Sequence, residues 1–351
     1  YVDDLCIVAK NPQEIIKTLK EKFKLKLKGV GPLEFHLGCD YGKDPDGTLF
    51  SQPKKYIERL REAYKRFFNE DPPKGLKSPL DKLDHPELDT SEIMTDEGST
   101  IYMSLIGQLQ WLVTLGRFDI NPHISTMARF RAAPRKGHLE RLKRICGYIF
   151  RTKHYAIRFR PDKPDYTFIP NIEYEWEKSV YGEVKEITPE DAPEPLGQEV
   201  THTTIVDANL YHCKVSGKST TGILHLLNKT PTDWYSKLQP TLESATYGSE
   251  FTAAKTATEQ IIDMRLTQNY LGVPLKSKTY MFGDNKSVVT SATIPHSVIS
   301  KRYNMLSYHR VREAIAAKII IFVWIKTHHN IADILSKFWE HASVYPMIQL
   351  I

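Results

Sequence analysis

Thr203-Thr204-Ile205-Val206-Asp207-Ala208 is a β-branched, apolar run that closes on a carboxylate. Threonine, isoleucine and valine are stiff at χ1 and favour a pleated backbone, so the run predicts a strand. The acid near its end needs a partner, because an uncompensated charge is not buried. Two further strand-like runs follow at residues 222–227 and 234–237. A helical stretch over 249–271 then turns Ala254, Ala257, Ile261 and Met264 inward. A strand over 279–282, a helical region to 317, a strand over 319–326 and a last helix near Asp333 complete the unit. Three strands, helix, strand, helix, strand, helix is the order of a mixed sheet with helices packed on it, an α/β fold.

Working outward, residues 161–200 hold six prolines and eleven acidic side chains with little periodicity, which predicts a linker or insertion. Upstream of it, Tyr102, Leu105, Ile106, Leu109, Leu112 and Val113 recur at helical intervals and predict a buried helix. Residues 129–160 carry eleven basic side chains against one acid, Glu140, on a second helix that turns Leu139, Leu142, Cys146 and Ile149 inward. That one-sided charge predicts a phosphate-contacting surface through Arg129, Arg131, Arg135, Lys136, Arg141, Lys143 and Arg144. Residues 71–97 read as a Pro-rich, acidic loop and 56–68 as a basic amphipathic helix. Before them come a short strand over 35–38, the turn at Gly29, Gly31 and Pro32, a lysine-rich run over 20–28, a helix over 12–23 and a strand over 5–9. The chain opens on Tyr1-Val2-Asp3-Asp4, which reads as a truncation or processing boundary.

The 351 residues suffice for two or three domains, and 41% apolar against 26% charged residues excludes wholesale disorder. The net charge of +6 conceals an asymmetry: +8 over residues 1–160, −8 over 161–200 and +6 over 201–351. Two basic bodies joined by an acidic strip suit a polyanionic partner. Cys6, Cys39, Cys146 and Cys213 lie far apart, so neither a zinc knuckle nor a disulfide framework is expected. The longest apolar run, seven residues from 319 to 325, falls short of the ~20 that a membrane helix needs. The expectation is a soluble, intracellular protein.

Only ten acids occur in residues 201–351, yet four of them, Asp207, Glu250, Asp284 and Asp333, terminate core elements. Taken singly, each suits an N-cap or a solvated loop. Together they form a cluster that repels itself unless hard cations neutralise it, and Mg²⁺ takes such oxygen ligands. Two Mg²⁺ ions about 4 Å apart, with Mn²⁺ as a substitute, would activate a water and stabilise a leaving 3′ oxygen in phosphodiester hydrolysis.

Tyr1-Val2-Asp3-Asp4 resembles the palm motif of reverse transcriptases. Gly31-Pro32-Leu33-Glu34-Phe35-His36-Leu37-Gly38 is similar to the segment that follows it in copia-type LTR retrotransposon Pol polyproteins. The likeness continues through 49–57, through 102–109 and through Arg117-Phe118-Asp119-Ile120. Downstream, Val206-Asp207-Ala208, Ser249-Glu250-Phe251, Gly283-Asp284-Asn285-Lys286-Ser287 and Ala332-Asp333-Ile334-Leu335-Ser336-Lys337 resemble the ribonuclease H domain of that family. The family's first acid before the catalytic Glu is missing here, and the 161–200 insertion is long.

The resemblance implies a truncated palm end and thumb over 1–70, a connection-like basic helical region over 71–160, the acidic insertion, and a ribonuclease H-like mixed sheet over 201–351. It places the ribonuclease H metal ligands on Asp207, Glu250, Asp284 and Asp333, and two palm carboxylates on Asp3 and Asp4 beside Tyr1. A third palm carboxylate and the nucleotide-holding fingers have no counterpart, so the chain is expected not to polymerise alone. The implied activity is cleavage of the RNA strand of an RNA·DNA hybrid, with template-primer as a further partner and a cytoplasmic virus-like particle or the nucleus as its place. The alternatives are a catalytically silent nucleic-acid-binding remnant and a structural partner of a full-length transcriptase. His328 and His329 read as surface-loop residues rather than proton shuttles.

Overall fold

The computed structural model describes residues 5–348 except 171, 173, 276, 300 and 301, so Tyr1, Asp3 and Asp4 lie outside the described residues. The N-terminal part comprises α1 (Pro12–Glu21), β1 (Phe35–His36), β2 (Cys39–Lys43), β3 (Leu49–Gln52), α2 (Lys54–Phe68), α3 (Asp96–Thr114), α4 (Asn121–Met127), α5 (Lys136–Arg151) and β4 (Ile157–Arg158). Its strands form an antiparallel sheet in the order β1-β2-β3-β4. Pro45-Asp46-Gly47 turns β2 into β3: the Asp46 carboxylate accepts from Thr48 N at 2.9 Å and Gly47 sits at φ +89°. Residues 5–9 form no strand, and Leu5 and Val8 are exposed there.

The C-terminal part comprises β5 (His202–Asn209), β6 (Thr220–Leu227), β7 (Thr230–Leu238), α6 (Thr246–Tyr270), β8 (Thr279–Gly283), α7 (Lys286–Thr293), α8 (Met305–Ala316), β9 (Ile320–Trp324), α9 (Asp333–Ser336) and α10 (His341–Ile348). These strands make a five-stranded sheet in the order β7-β6-β5-β8-β9. The first three are antiparallel, joined at β6–β7 by a two-residue turn in which Asn228 takes φ +53°; β5–β8 and β8–β9 are parallel. Parallel neighbours need a crossover, which α6 supplies before β8 and α7 with α8 supply before β9. This is the α/β mixed sheet with flanking helices that the sequence led us to expect, preceded by a mainly helical region.

Alternation along β5 serves two cores. Val206 and Ala208, with Ile223 and Met281, pack under α6 and α8 against Phe251, Ala254, Ile261 and Val311. Ile205, with Leu224, Leu226 and Phe282, faces the other way, where α9, Phe338 and Trp339 join it to Ile57, Tyr64, Tyr102, Leu109, Leu142 and Ile149 of the helical region. One face of the sheet and the N-terminal helices therefore share a single hydrophobic core.

Within that core the Arg117–Asp119 motif is structural. Arg117 donates from Nε to Asp119 Oδ1 at 2.9 Å and from Nη2 to Oδ2 at 2.8 Å, and Tyr148 donates to the same carboxylate at 2.8 Å. A buried ion pair needs such additional hydrogen bonds to offset its desolvation.

Several of the described residues between 161 and 200 lie against the sheet and its helices. Tyr166 packs on Tyr280 and Phe282, Trp176 and Tyr181 flank the Arg312 guanidinium, and Glu186 accepts from Arg265 at 2.7 and 2.8 Å. Leu196 N and Val200 N donate to Gly272 O and Pro274 O at 2.9 and 3.1 Å.

Candidate active site

Because β5 and β8 are parallel neighbours, their C-terminal ends lie side by side. Asp207 stands near the end of β5 and Asp284 follows the last residue of β8, so sheet topology alone brings these two carboxylates together. Glu250 arrives from the first turns of α6 on the other face. Oxygens of Asp207, Glu250 and Asp284 all lie within 4.8 Å of one another. Asp207 is almost wholly buried, at 1% exposure, as the central strand requires.

Three acids this close cannot share full ionisation. Burial pushes the Asp207 carboxyl up to about 6, with the neighbouring Asp333 adding to the rise. Burial, then repulsion from Asp207, likewise raises Glu250 well above the ordinary range, and raises Asp284 in the same way.

The fourth acid, Asp333, opens α9 and stands beside Asp207, outside the mutual contact of the trio. Its Oδ1 accepts from Lys337 Nζ at 2.7 Å, and the same ammonium lies 3.4 Å from Asp207 Oδ2. Ser336 also donates its hydroxyl to Asp207 Oδ2. Burial alone would lower the Lys337 ammonium, but Asp207 and Asp333 outweigh it and hold the group above its usual range. Gly222, opposite Asp207 in the β5–β6 register, makes this approach possible: a Cβ there would stand 2.7 Å from both Ala332 O and Ser336 N. Asn330 ties the preceding loop to β5, donating to Val206 O at 3.1 Å and accepting from Ala332 N at 3.1 Å.

Sequence reasoning named the four acids but gave no role to Gly222, Asn330, Ser336 or Lys337. The available signal was the spacing of Ser336 and Lys337 three and four residues after Asp333, which places them on one helical face. His328 and His329 are exposed in a 3₁₀ turn, Thr327–His329.

The basic surface differs from the charge count. Arg141 grips Asp84 and Asp89, Lys143 holds Glu70 and Glu140, Arg144 holds Asp81, and Lys136 holds Glu92, at 2.5–3.1 Å. Arg135 donates to Ser91 O. The segment read as an acidic loop folds onto α5 and neutralises it, so this helix is not a one-sided positive face. Arg129 and Arg131 precede the helix and are exposed; Arg129 Nη2 reaches Cys213 Sγ at 3.1 Å, in the loop that leaves β5.

No protein-family model matches the chain. It is 24% identical over 340 residues to the retrovirus-related Pol polyprotein from transposon RE1 of Arabidopsis thaliana, covering 96% of this chain and 20% of that protein. It is 24% identical over 345 residues to the Pol polyprotein from transposon TNT 1-94 of Nicotiana tabacum, covering 96% and 23%. The chain thus spans about a fifth of the length of these relatives. Among solved structures, the N-terminal RNase H domain of Rv2228c from Mycobacterium tuberculosis aligns at 12% identity over 43% of this chain and 98% of that one, with a TM-score of 0.31. Over nearly all its length, then, the chain is similar to part of the retrovirus-related Pol polyproteins of plant transposons.

Proposed function

We propose that the chain carries a metal-dependent ribonuclease H that hydrolyses the RNA strand of an RNA·DNA hybrid and leaves a 5′ phosphate. The observation that carries this reading is the trio Asp207, Glu250 and Asp284, whose oxygens lie within 4.8 Å at the C-terminal ends of two parallel strands. Hard carboxylate oxygens, crowded so that all three acids resist ionisation, fit Mg²⁺ or Mn²⁺. When bound, such ions supply activation of the attacking water and charge stabilisation at the leaving 3′ oxygen.

The protein's part is to hold the donors. Asp207 sits on the central strand and would hold the ions together with Glu250 and Asp284, while Ser336 orients its Oδ2. Glu250 and Asp284 complete the trio, and Asp333 lies at its rim. A hybrid is read through its backbone and the 2′-hydroxyls of one strand, so single-stranded RNA and duplex DNA are expected to be poor substrates. Arg129 and Arg131, beside the loop that leaves β5, are the phosphate contacts this reading favours, since Lys136, Arg141, Lys143 and Arg144 of α5 already hold carboxylates.

The full chain should cleave the RNA of a labelled hybrid with Mg²⁺ or Mn²⁺ and stop on addition of chelator. Asp207→Asn keeps the shape and removes the charge, and should cost about 10²-fold or more in rate. Cleavage by the Asn variant at the parent rate would sink the assignment.

A further inference from the structure

The four acids are not equivalent: three lie open to one another, and the fourth is sealed to Asp207 by an internal cation. We propose that Lys337 occupies the place of the second metal ion, so that the resting site admits one divalent ion at the trio and must release this ammonium before it admits another. The inference rests on the metal-dependent reading above and deepens it.

Its basis is geometric. Lys337 Nζ stands 2.7 Å from Asp333 Oδ1 and 3.4 Å from Asp207 Oδ2, between the two carboxylates that a second ion would bridge. No other Lys or Arg of the described residues forms an ion pair with Asp207, Glu250, Asp284 or Asp333. Lys337 follows α9 directly, and the α9 backbone is pressed onto Gly222, so the stem starts from a fixed point. The ammonium is nonetheless removable. Its side chain is 34% exposed, and a flexible four-carbon stem can carry a strongly hydrated head into water. Ser336 also donates to Asp207 Oδ2, so the ammonium is not the only partner that orients this oxygen. The arrangement makes the second ion pay for displacing a resident charge, whereas the first meets only carboxylates.

Calorimetric titration of the chelator-treated full chain with Mn²⁺ tests this without reference to cleavage. The parent should bind one ion tightly and a second at least tenfold more weakly. Lys337→Met should tighten the second ion about tenfold or more while leaving the first within about threefold. Without metal, the same variant should melt at a lower temperature than the parent, because Asp207 and Asp333 then repel each other unscreened. Lys337→Arg, which keeps the charge, should titrate like the parent. If the Met variant does not fold, Lys337→Gln removes the charge with less change in polarity and gives the same comparison. Unchanged or weaker second-ion binding in the neutral variant overturns the proposal while leaving the metal site standing. Failure of parent and variant alike to bind Mn²⁺ would overturn the metal-dependent reading and this proposal with it.

Discussion

His123 shows at the residue scale how a titratable group can be wholly structural. It is fully buried, its ring stacked on Phe338 at 4.7 Å, and burial pulls its pKa down to about 3. The unfolded chain takes up a proton near 6.5 that the folded chain refuses until about pH 3, so stability is lost as pH falls through that window. His123→Phe preserves the stack and removes the proton. The stability lost between pH 7 and pH 5, read from urea unfolding, should shrink by about 2 kcal/mol in this variant. An unchanged loss would place the acid sensitivity elsewhere, for instance at His202 or His225, which burial also depresses. Single residues were legible from sequence where they ended an element: Asp207 closes a β-branched run and Asp284 follows the apolar strand run Tyr280-Met281-Phe282. Lys337 and Ser336 were not, since their partner Asp207 lies 129 positions from Ser336 and only the fold brings them together. Arg117 and Asp119 read as a family motif, and nothing local announced that they were buried.

At the element scale, β-branched or aromatic runs gave the strands of the large sheet away, and helical spacing did the same for α3 and α6. The strand β2 escaped notice because Cys39-Asp40-Tyr41-Gly42-Lys43 has no β-branched residue and a glycine that accommodates the Phe50 ring opposite. Helix α5 was found, but its charge was misjudged, since the acids that neutralise it come from residues 70–92 and local counting cannot see them. The consequence is testable. Arg141 is half-buried between Asp84 and Asp89, so Arg141→Ala strands two carboxylates and should cost about 1.5–3 kcal/mol of stability. The slope of log affinity for hybrid against log salt should stay within about one unit of the parent's, because a paired arginine releases no phosphate counterions. A slope flattened by more than that, at unchanged stability, would return Arg141 to the nucleic-acid surface.

For the whole molecule, the shared core sets what can be separated from what. Ile205, Leu224, Leu226, Phe338 and Trp339 face the N-terminal helices, and residues 201–351 alone would present them to water. That fragment should bind a hydrophobic dye and melt well below the full chain, whereas the full chain should unfold in one transition by circular dichroism and by tryptophan fluorescence alike. Two resolved transitions in the full chain, the later one matching the fragment, would show the sheet to be self-sufficient. The seam between the parts also carries chemistry, for α9 touches α4 on one side and β5, β6 and β7 on the other. Asp207 is anchored in the sheet, while Asp333 rides on this wedge, with His123 of α4 stacked on Phe338 just beyond it. The gap between the two carboxylates is therefore a strain gauge: a displacement of α4 against the sheet would register there as a change in the spacing between Asp207 and Asp333.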